Sequence, residues 1–382
     1  MIFSILYFYQ FLVIILNSIS DIFKHKITFQ LYLQRFFNLN LKKSDVLIHA
    51  CSCGESKLLS PILDILEDKN ISYQLSVHTP TGYNIMRNNK NVFLKPFDNF
   101  LFMFYIFYRI RPKLLIISVE DVWPFYIFWA LYNDVKIYFV NYEINNYHIK
   151  YLIHYLVATK IFLKNEIKTS YEKYEYLGNL KLLSSSLIKQ HKDILKLVIA
   201  SANQDEFDIH LKYMIKLLKS YPKLKIIYVP RQLNWLIELK SKLKNSNYSI
   251  IFDDDLNFNN IESSIIIVWK YGLLEKIFSQ THICVMGDTF NKVGGHNLIE
   301  PGINENYIIT GPNIHTCQDL YDILEGVYSV KNEEELLTHT INIINCKSYI
   351  VNGKKNKISI LNHQEIIRDN LKKYIHDLIT SF

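Results

Sequence analysis

The sequence predicts an α/β protein with two domains, each built around a parallel β-sheet. Short apolar runs that end at polar or glycine-containing loops alternate with helical patterns, which is typical of repeated strand–helix–strand units. This alternation is interrupted by a polar stretch at residues 184–193 and then starts again. A length of 382 residues is typical of two such domains.

Each half of the chain supplies a series of predicted strands. In the first half they are residues 46–49, 71–77, 113–119 and 135–140. In the second half they are residues 195–200, 225–229, 265–268, 282–286 and 307–310. Open parallel sheets bind ligands beyond the carboxyl ends of their strands, so two such domains facing each other would share a binding cleft.

The amino-terminal segment is predicted to be a membrane anchor helix over residues 1–22. Residues 1–19 are almost wholly apolar, and no charged side chain precedes Asp21. A run of about 18–20 such residues is long enough to cross the hydrocarbon core of a bilayer. Lys24, Lys26 and Arg35 follow, which by the positive-inside rule places the rest of the chain in the cytoplasm. The alternative is a buried or interfacial amphipathic helix.

The remaining domain bounds follow from the two series of strands. We expect an amino-terminal domain over residues 23–185 and a carboxy-terminal domain over residues 192–362. A helical pattern at residues 364–379 predicts that residues 363–382 form a helix that packs back toward the amino-terminal domain.

Charge and cysteine usage disfavour two classes of function. The net charge is +7, but no stripe of lysine and arginine with interleaved aromatic residues is present, so nucleic-acid binding is not expected. The five cysteines are irregularly spaced, and none of them forms a zinc or redox motif. The cysteines therefore indicate no zinc or redox site, and no cofactor is expected. A mildly basic chain suits an anionic membrane surface or anionic substrates.

The segment at residues 287–301 is the richest candidate binding site. It follows a predicted strand and contains Gly294 and Gly295, which let a backbone approach a ligand closely. A helix that begins near Asn297 would offer free N–H groups to a phosphate. Glu300 lies one helical turn further on and could accept hydrogen bonds from ribose hydroxyls. The alternative is an ordinary tight turn with a capping asparagine and a glutamate close behind it.

Eight short blocks, in order along the chain to about residue 320, resemble the 3-deoxy-D-manno-octulosonic acid (Kdo) transferases of lipopolysaccharide synthesis. The blocks are His49-Ala50-Cys51-Ser52-Cys53-Gly54-Glu55, Thr79-Pro80-Thr81-Gly82, Pro96-x-Asp98, Trp123-Pro124, Gly178-Asn179-Leu180-Lys181, residues 201–206, Pro230-Arg231, and Gly294-Gly295-His296-Asn297-x-x-Glu300-Pro301 followed by Gly311-Pro312.

The resemblance implies a GT-B fold, in which two Rossmann-like parallel-sheet domains face a cleft and an amino-terminal helix anchors the protein. It implies transfer of Kdo from its cytidine monophosphate ester (CMP-Kdo) to the lipid A precursor lipid IVA, by a single displacement with inversion. The acceptor would bind the amino-terminal domain and the donor nucleotide the carboxy-terminal domain. Its implied partners are CMP-Kdo, the lipid A precursor and the cell inner membrane, with the catalytic domains on the cytoplasmic side and no metal required.

The resemblance also assigns roles to individual residues. Glu55 would be the general base that takes the proton of the acceptor hydroxyl, although a glutamate at a helix start is also favoured by the helix dipole alone. Lys181 would stabilise the departing phosphate or the donor carboxylate. The implied donor-binding residues are Pro230, Arg231, Tyr271, Gly272, Leu273, Thr289, Gly294, Gly295, Asn297 and Glu300.

The chain departs from the family pattern at several positions. The family's E-x-E-L-W-P has valine at its first position here, Val119, so Glu120 and Asp121 are the candidate catalytic carboxylates of that segment. The arginine of the family's N-A-R-x-S becomes Glu143. In the block at residues 201–206, which matches the family's S-T-H-x-x-E, Ala202 and Asn203 replace Thr and His. Two alternatives therefore remain: another GT-B sugar-nucleotide transferase, or a catalytically weakened membrane-bound relative that only binds nucleotide.

Overall fold

The computed structural model describes residues 35, 41–118, 123–144, 149–167, 171–188, 192, 194–244, 246–252, 254 and 256–379. The chain forms two compact units that divide after Ser184 and again after Glu365, so the first unit contains both ends of the described chain. The predicted anchor at residues 1–22, and the candidates Glu120 and Asp121, lie outside the described residues. Within the described ranges, no helix is both long enough and apolar enough to cross a membrane.

The first unit is built on a parallel sheet of seven strands within the described residues, in the order β3-β2-β1-β4-β5-β6-β7. Its strands are β1 (Val46–Ala50), β2 (Tyr73–Val77), β3 (Val92–Leu94), β4 (Leu114–Ser118), β5 (Lys136–Tyr142), β6 (Lys160–Leu163) and β7 (Tyr174–Tyr176). The central strands are buried along their whole length, as expected for a parallel sheet that is covered on both faces.

The helices of the first unit cover that sheet. They are α1 (Cys53–Leu58), α2 (Ser60–Asp68), α3 (Pro80–Met86), α4 (Phe100–Ile110), α5 (Pro124–Tyr132) and α6 (Ile149–Val157). Polar side chains fix where several of them begin: Ser52, Thr79 and Asn99 cap α1, α3 and α4. The Asp98 carboxylate accepts the backbone N–H groups of Phe125 and Tyr126 in the first turn of α5, at 3.0 and 3.1 Å.

The second unit repeats the same plan with a second sheet. Within the described residues it has seven parallel strands in the order β10-β11-β9-β8-β12-β13-β14. They are β8 (Lys196–Ala202), β9 (Lys225–Pro230), β10 (Tyr248–Ile251), β11 (Ile265–Val268), β12 (Ile283–Met286), β13 (Tyr307–Thr310) and β14 (Val327–Ser329).

The helices of the second unit include one that continues into the first. They are α7 (Phe207–Ser220), α8 (Leu236–Lys242), α9 (Leu274–Phe278), α10 (Ile299–Ile303), α11 (Gln318–Tyr321), α12 (Glu333–Asn345) and α13 (Ser348–Ile379). The last part of α13 belongs to the first unit. There Ile367 packs on Gly178, and the side-chain amide of Asn370 donates to the Leu177 carbonyl at 3.3 Å.

The predicted fold class of two parallel-sheet α/β domains is confirmed. The predicted strands in the centres of both sheets agree with the structure to within two residues at each end. Five short strands were not predicted, namely β3, β6, β7, β10 and β14, each of three or four residues. The terminal helix begins at Ser348, whereas the helical pattern predicted a start at residue 364.

Candidate active site

Both sheets have a point where the order of the strands reverses, and polar loops follow the strands there. In the first sheet β1 lies between β2 and β4, and in the second sheet β8 lies between β9 and β12. Ligands of open parallel sheets bind beside such switch points, at the carboxyl ends of the strands. The loop after β1 leads into α1, which carries Glu55, and the loop after β12 begins the segment at residues 287–301.

The Glu55 carboxylate is held at the start of α1. Its Oε2 accepts the backbone N–H of Cys51 at 2.7 Å, and its Oε1 accepts the Ser52 hydroxyl at 3.0 Å. Ser52 Oγ in turn accepts the backbone N–H of Glu55 at 3.3 Å, which makes this a reciprocal capping arrangement. The carboxylate is therefore fixed in direction while the side chain stays partly exposed.

Glu55 lines a cavity of about 330 Å³ in the first unit. The cavity is lined by Ser52, Gly54, Glu55, Leu58, Asn141, Glu143, Lys164 and Lys181. The Asn141 side chain accepts the backbone N–H of Leu180 at 2.9 Å, and Asn179 accepts that of Lys181 at 3.0 Å, so these two amides fix the turn that carries Lys181. The structure thus brings the predicted base and the predicted catalytic lysine to one cavity.

Glu143 and Lys164 form an ion pair at the wall of the same cavity. Their side chains are 31% and 13% exposed, so the Lys164 side chain is the more buried of the two. Lys164 directly follows β6, and its backbone N–H donates to the Tyr142 carbonyl of β5 at 2.9 Å. Glu143, which replaces the family's arginine, is therefore paired with Lys164, which follows the adjacent strand.

A buried cluster of titratable side chains lies among the ends of β1, β2 and β3. Lys95 is fully buried, with its Nζ 4.0 Å from the centre of the Trp123 ring and 3.7 Å from Asp98. Burial lowers the pKa of Lys95 to about 8, and burial also lowers the pKa values of His49 and His78. The Nζ of Lys95 has no hydrogen-bond partner in the structure described.

Asp288 is the centre of the polar cluster in the second unit. Its fully buried carboxylate accepts four side-chain hydrogen bonds, from Asn203 and Asn291 to Oδ1 at 2.8 Å each, and from Arg231 and His296 to Oδ2 at 3.0 and 2.6 Å. Burial alone would raise the pKa of Asp288, but these four donors outweigh it and lower the pKa. The carboxylate is therefore a permanent anion that orients an arginine, a histidine and two amides.

Arg231 and His296 lie against each other on Asp288. The Arg231 guanidinium contacts the His296 ring, and His296 Nε2 lies 2.6 Å from Asp288 Oδ2. Burial lowers the pKa of His296, so the ring is neutral at pH 7 and can accept from the guanidinium. Because the Arg231 side chain is 44% exposed, its remaining N–H groups are accessible to a ligand phosphate.

Glu206, which was not predicted as a site residue, binds the backbone of this cluster. The buried carboxylate accepts the backbone N–H groups of Asp288, Phe290 and Asn203, at 2.7, 2.8 and 3.3 Å. Burial raises the pKa of Glu206, and the three backbone donors oppose that rise. The sequence signal for it is the last position of the S-T-H-x-x-E-like block at residues 201–206.

Glycines shape the loop that carries the predicted donor-binding residues. Gly294 and Gly295 have φ angles of +99° and +90°, which L-residues rarely adopt, and their N–H groups donate to the Asp288 carbonyl at 2.9 and 2.8 Å. A Cβ on Gly287 would lie 2.6 Å from the Cα of Ala202. The glycines therefore let this loop fold back on Asp288 and let β12 approach β8 closely.

Asn297 and Glu300 lie at the start of α10. The Asn297 side-chain oxygen accepts the backbone N–H of Ile299 at 3.0 Å, and its amide donates to Glu300 Oε1 at 3.1 Å. Both side chains are half-buried. Asn297 therefore holds the turn before the helix and at the same time orients the carboxylate that was predicted to accept ribose hydroxyls.

The remaining predicted site residues occupy different positions around the second sheet. Thr289 is buried, and its hydroxyl donates to the Met286 carbonyl at 2.6 Å and accepts from Gly311 N–H at 2.7 Å. Pro230 is the buried last residue of β9. Tyr271, Gly272 and Leu273 follow β11, two strands away from β8, and Tyr271 is 64% exposed. Their ligand contacts stay predictions.

Within the described ranges, no group of three or more His, Cys, Asp or Glu side chains is placed to hold a metal ion.

Two Rossmann-like units, each with polar loops at the carboxyl ends of its central strands, define the GT-B class of fold. Consistent with this, the structure of UDP-GlcNAc 2-epimerase from Neisseria meningitidis bound to UDP-GlcNAc matches with a TM-score of 0.62 over 86% of this chain and 99% of that one, at 11% identity. That likeness shows the fold alone.

Comparisons with known sequences show which proteins this chain resembles. Residues 29–163 match the family model of the 3-deoxy-D-manno-octulosonic-acid transferases (kdotransferases). The 3-deoxy-D-manno-octulosonic acid transferase of Aquifex aeolicus is 26% identical over 344 residues, which cover 85% of this chain and 94% of that protein. The enzyme of the same name from Rickettsia typhi is 24% identical, over 92% of this chain and 85% of that protein. The chain is thus a relative of the Kdo transferases, and the resemblance indicated by its motifs is confirmed.

Proposed function

We propose that this protein is a glycosyltransferase that moves Kdo from CMP-Kdo to the lipid A precursor lipid IVA in lipopolysaccharide biosynthesis. The observation that carries the proposal is the cavity of the first unit, which the fixed carboxylate of Glu55 and the side chain of Lys181 both line. The similarity to Kdo transferases over most of the chain supports the choice of sugar.

The reaction is a single displacement with inversion. An acceptor hydroxyl oxygen attacks the anomeric carbon of Kdo from the face opposite the phosphate, and the bond from that carbon to the phosphate oxygen breaks. The electron pair of the broken bond leaves with CMP, and the proton of the hydroxyl passes to Glu55. An ordinary glutamate is ionised at neutral pH, so Glu55 is already in the form that a base requires.

The second unit holds the donor nucleotide. Arg231, oriented by Asp288, binds the phosphate of CMP through the N–H groups that Asp288 and His296 leave accessible. Glu300, oriented by Asn297, accepts the ribose hydroxyls. Lys181 stabilises negative charge that develops on the departing phosphate or on the carboxylate of Kdo.

The protein acts at the cytoplasmic face of the cell inner membrane, anchored by residues 1–22. An apolar surface on α4 and α5 supports this placement. Leu101, Phe104 and Tyr108 on α4 are 58%, 45% and 57% exposed, and Phe128 and Tyr132 on α5 are 45% and 71% exposed. Exposed aromatic side chains of this density are typical of surfaces that contact lipid or another protein.

The experiment is expression of the full chain in a host that makes CMP-Kdo but lacks its own Kdo transferase, with mass spectrometry of the lipid A products and assay of the inner-membrane fraction. Wild type is expected to add Kdo and to be recovered with the inner membrane. Glu55→Gln is expected to lower transfer by about 10²–10⁴-fold because the base is lost, while CMP binding measured by calorimetry stays unchanged.

The matched control is Glu172→Gln, which neutralises an exposed glutamate of the same unit and should leave transfer intact. A wild-type chain that transfers a different sugar from a panel of nucleotide donors would replace the proposed substrate. A chain that binds CMP but transfers nothing would be the catalytically weakened relative, which the valine at position 119, in place of the family's first glutamate, favours.

A further inference from the structure

A cavity of about 750 Å³ lies in the second unit, at the opposite end of the sheet from the Asp288 cluster. His282, which directly precedes β12, and Glu305, which precedes β13, both line it. Asp288 follows the other end of β12, so the four residues of that strand, roughly 13 Å, separate the two places. Pockets of about 300–1,000 Å³ are typical of small-molecule sites. The size of this cavity therefore suits a ligand of its own.

Helix α13 forms one wall of the cavity. Ile350, Lys354 and Lys357 follow one another at intervals of four and three residues, so they share one face of that helix. Gly353 lets the helix come close to the turn before β13, since a Cβ there would lie 2.3 Å from the Glu305 carbonyl oxygen. Lys357 Nζ donates to Glu305 Oε1 at 2.6 Å and holds the helix to that turn.

Positive charge is in excess around the cavity. Among the described residues that line it, the charged side chains are Lys192, Lys354, Lys357 and Glu305. Lys357 is paired with Glu305, whereas Lys192 donates to the Asn304 carbonyl at 2.5 Å as its one described hydrogen bond. Lys354 has no described partner. Because an ammonium group has three N–H donors, Lys192 and Lys354 both have donors left for a ligand.

The surroundings of Lys192 favour a bound anion. Burial lowers its pKa to about 8; Glu305 opposes that shift, and Lys196 and Lys357 add to it. A cation that has lost part of its hydration among like charges is stabilised by an anion in contact with it. Burial, with Lys192 and Lys196, also lowers the pKa of His282 to about 4, so this ring is neutral at pH 7. The described side chains that line the cavity then have a net charge of +2.

The cavity also has an apolar wall. Tyr349 and Ile350 at the start of α13 line it together with Leu187 and Ile188, and Ile350 is 44% exposed. The Tyr349 ring meets the His282 ring edge-on, with 5.8 Å between the ring centres. An aromatic and aliphatic surface beside ammonium groups suits a ligand that joins an apolar or planar body to an anionic group.

We propose that this cavity binds a phosphate monoester with an apolar or planar body. The ammonium groups of Lys192 and Lys354 hold the phosphate, and Tyr349 and Ile350 contact the body. A phosphate monoester has a charge of about −1.5 to −2 at pH 7, which matches the excess positive charge of the cavity. The phosphate belongs either to a soluble metabolite or to a lipid. The inference does not depend on the proposed reaction.

The first test is calorimetric titration of the full chain with phenyl phosphate, with CMP in excess so that a donor site is occupied. Phenol and inorganic phosphate each supply one half of this probe. Phenyl phosphate should bind at least about 10-fold more tightly than either half, because both walls of the cavity contribute. If phenyl phosphate does not bind, or binds no better than inorganic phosphate, the cavity holds solvent only and the proposal is overturned.

Lys192→Gln/Lys354→Gln locates the phosphate. This double variant leaves the Lys357–Glu305 pair in place and should weaken phenyl phosphate binding by about 10-fold or more, with CMP affinity unchanged. Lys212→Gln/Lys219→Gln, on exposed positions of α7, removes the same charge and should keep wild-type affinity. Equal affinities in the two double variants would show that the cavity lysines do not bind the phosphate.

Labelling of wild type needs no variant and identifies the source of the phosphate. The reagent is N-hydroxysuccinimidyl acetate, and mass spectrometry gives the acetylation rate of each lysine. At about ten times the dissociation constant, phenyl phosphate should slow acetylation of Lys192 and Lys354 by up to about 10-fold but leave Lys212 unchanged. Stronger protection by dihexanoyl phosphatidic acid would assign the site to a lipid, and weaker protection to a soluble phosphate. Absence of protection by both compounds would overturn the proposal.

Discussion

Asp288→Asn tests whether one buried carboxylate organises the donor site. The substitution keeps the shape of the side chain and one acceptor oxygen. An amide in place of Oδ2, however, cannot accept from Arg231 or His296, which now donate at 3.0 and 2.6 Å. Hydrogen bonds to a charged group contribute about 1.5–3 kcal/mol each. Because Arg231 is 44% exposed, its share is reduced by solvent screening, and we expect a total loss of about 3 kcal/mol.

The assay is calorimetric unfolding of the full chain together with titration of CMP. For a unit of this size, a loss of that magnitude lowers the melting temperature of the second unit by about 6–12 °C. CMP affinity should fall by about 10-fold or more, because Arg231 is no longer held in one orientation. Asp322→Asn is the matched control, since that carboxylate is exposed and accepts from the Gln318 amide alone among the hydrogen bonds described.

The pH dependence of this effect has a defined sign. The pKa of Asp288 is lower in the folded state than its ordinary value of 3.8. Its contribution to stability is therefore fully present above pH 3.8 and is lost as the pH falls through the lowered folded-state value. The stability difference between wild type and Asp288→Asn should not shrink from pH 7 to pH 5, because Asp288 stays ionised and also opposes the lowering of the His296 pKa. If Asp288→Asn melts with wild type at pH 7, the carboxylate does not organise the cluster.

Two further predictions concern buried polar side chains outside the reaction. Lys95→Met should stabilise the first unit by up to about 3 kcal/mol at pH 7, because burial lowers the folded-state pKa to about 8, below 10.5 for the unfolded chain. Wild type recovers this stability as the pH rises from 8 to 10.5. The urea midpoints of wild type and Lys95→Met should therefore differ at pH 7 and converge at pH 10.5, while Lys69→Met, an exposed control, should match wild type at both. Asn356→Ala should cost the second unit about 2–4 kcal/mol, since the amide satisfies three backbone groups at 2.6–2.9 Å; a melting temperature equal to that of exposed Asn259→Ala would contradict this.

The fold was predictable where apolar runs are long and end at distinctive loops. The run at residues 282–286 ends at Gly287 and the run at residues 46–49 ends near Ser52, and both form central strands. The strands that were not predicted have three or four residues, too few to show a period. The first half of α13 was not predicted because its side chains are largely polar and it contains Gly353, so no apolar stripe is visible.

The site was predictable only as far as single segments can show it. The motif around Glu55 indicated a carboxylate at a helix start, and the structure shows how Ser52 and Cys51 hold it. The role of Asp288 depends partly on Asn203 and Arg231, which come from two other segments of the chain, so no local pattern indicates it. Lys164 is one lysine among many in a lysine-rich chain, and only the pairing of β5 with β6 brings it to Glu143.

The division of α13 between the two units has a consequence for synthesis on the ribosome. The second unit is one continuous stretch, Ser185–Glu365, so all of its residues are available as soon as that stretch has emerged. The first unit, although most of it is made earlier, includes Ile366 onward and remains incomplete until α13 is finished. The pocket that Gly178 presents to Ile367 is then an exposed apolar gap on a nascent domain. The first unit, although its synthesis begins earlier, is therefore the last for which all residues are available for folding.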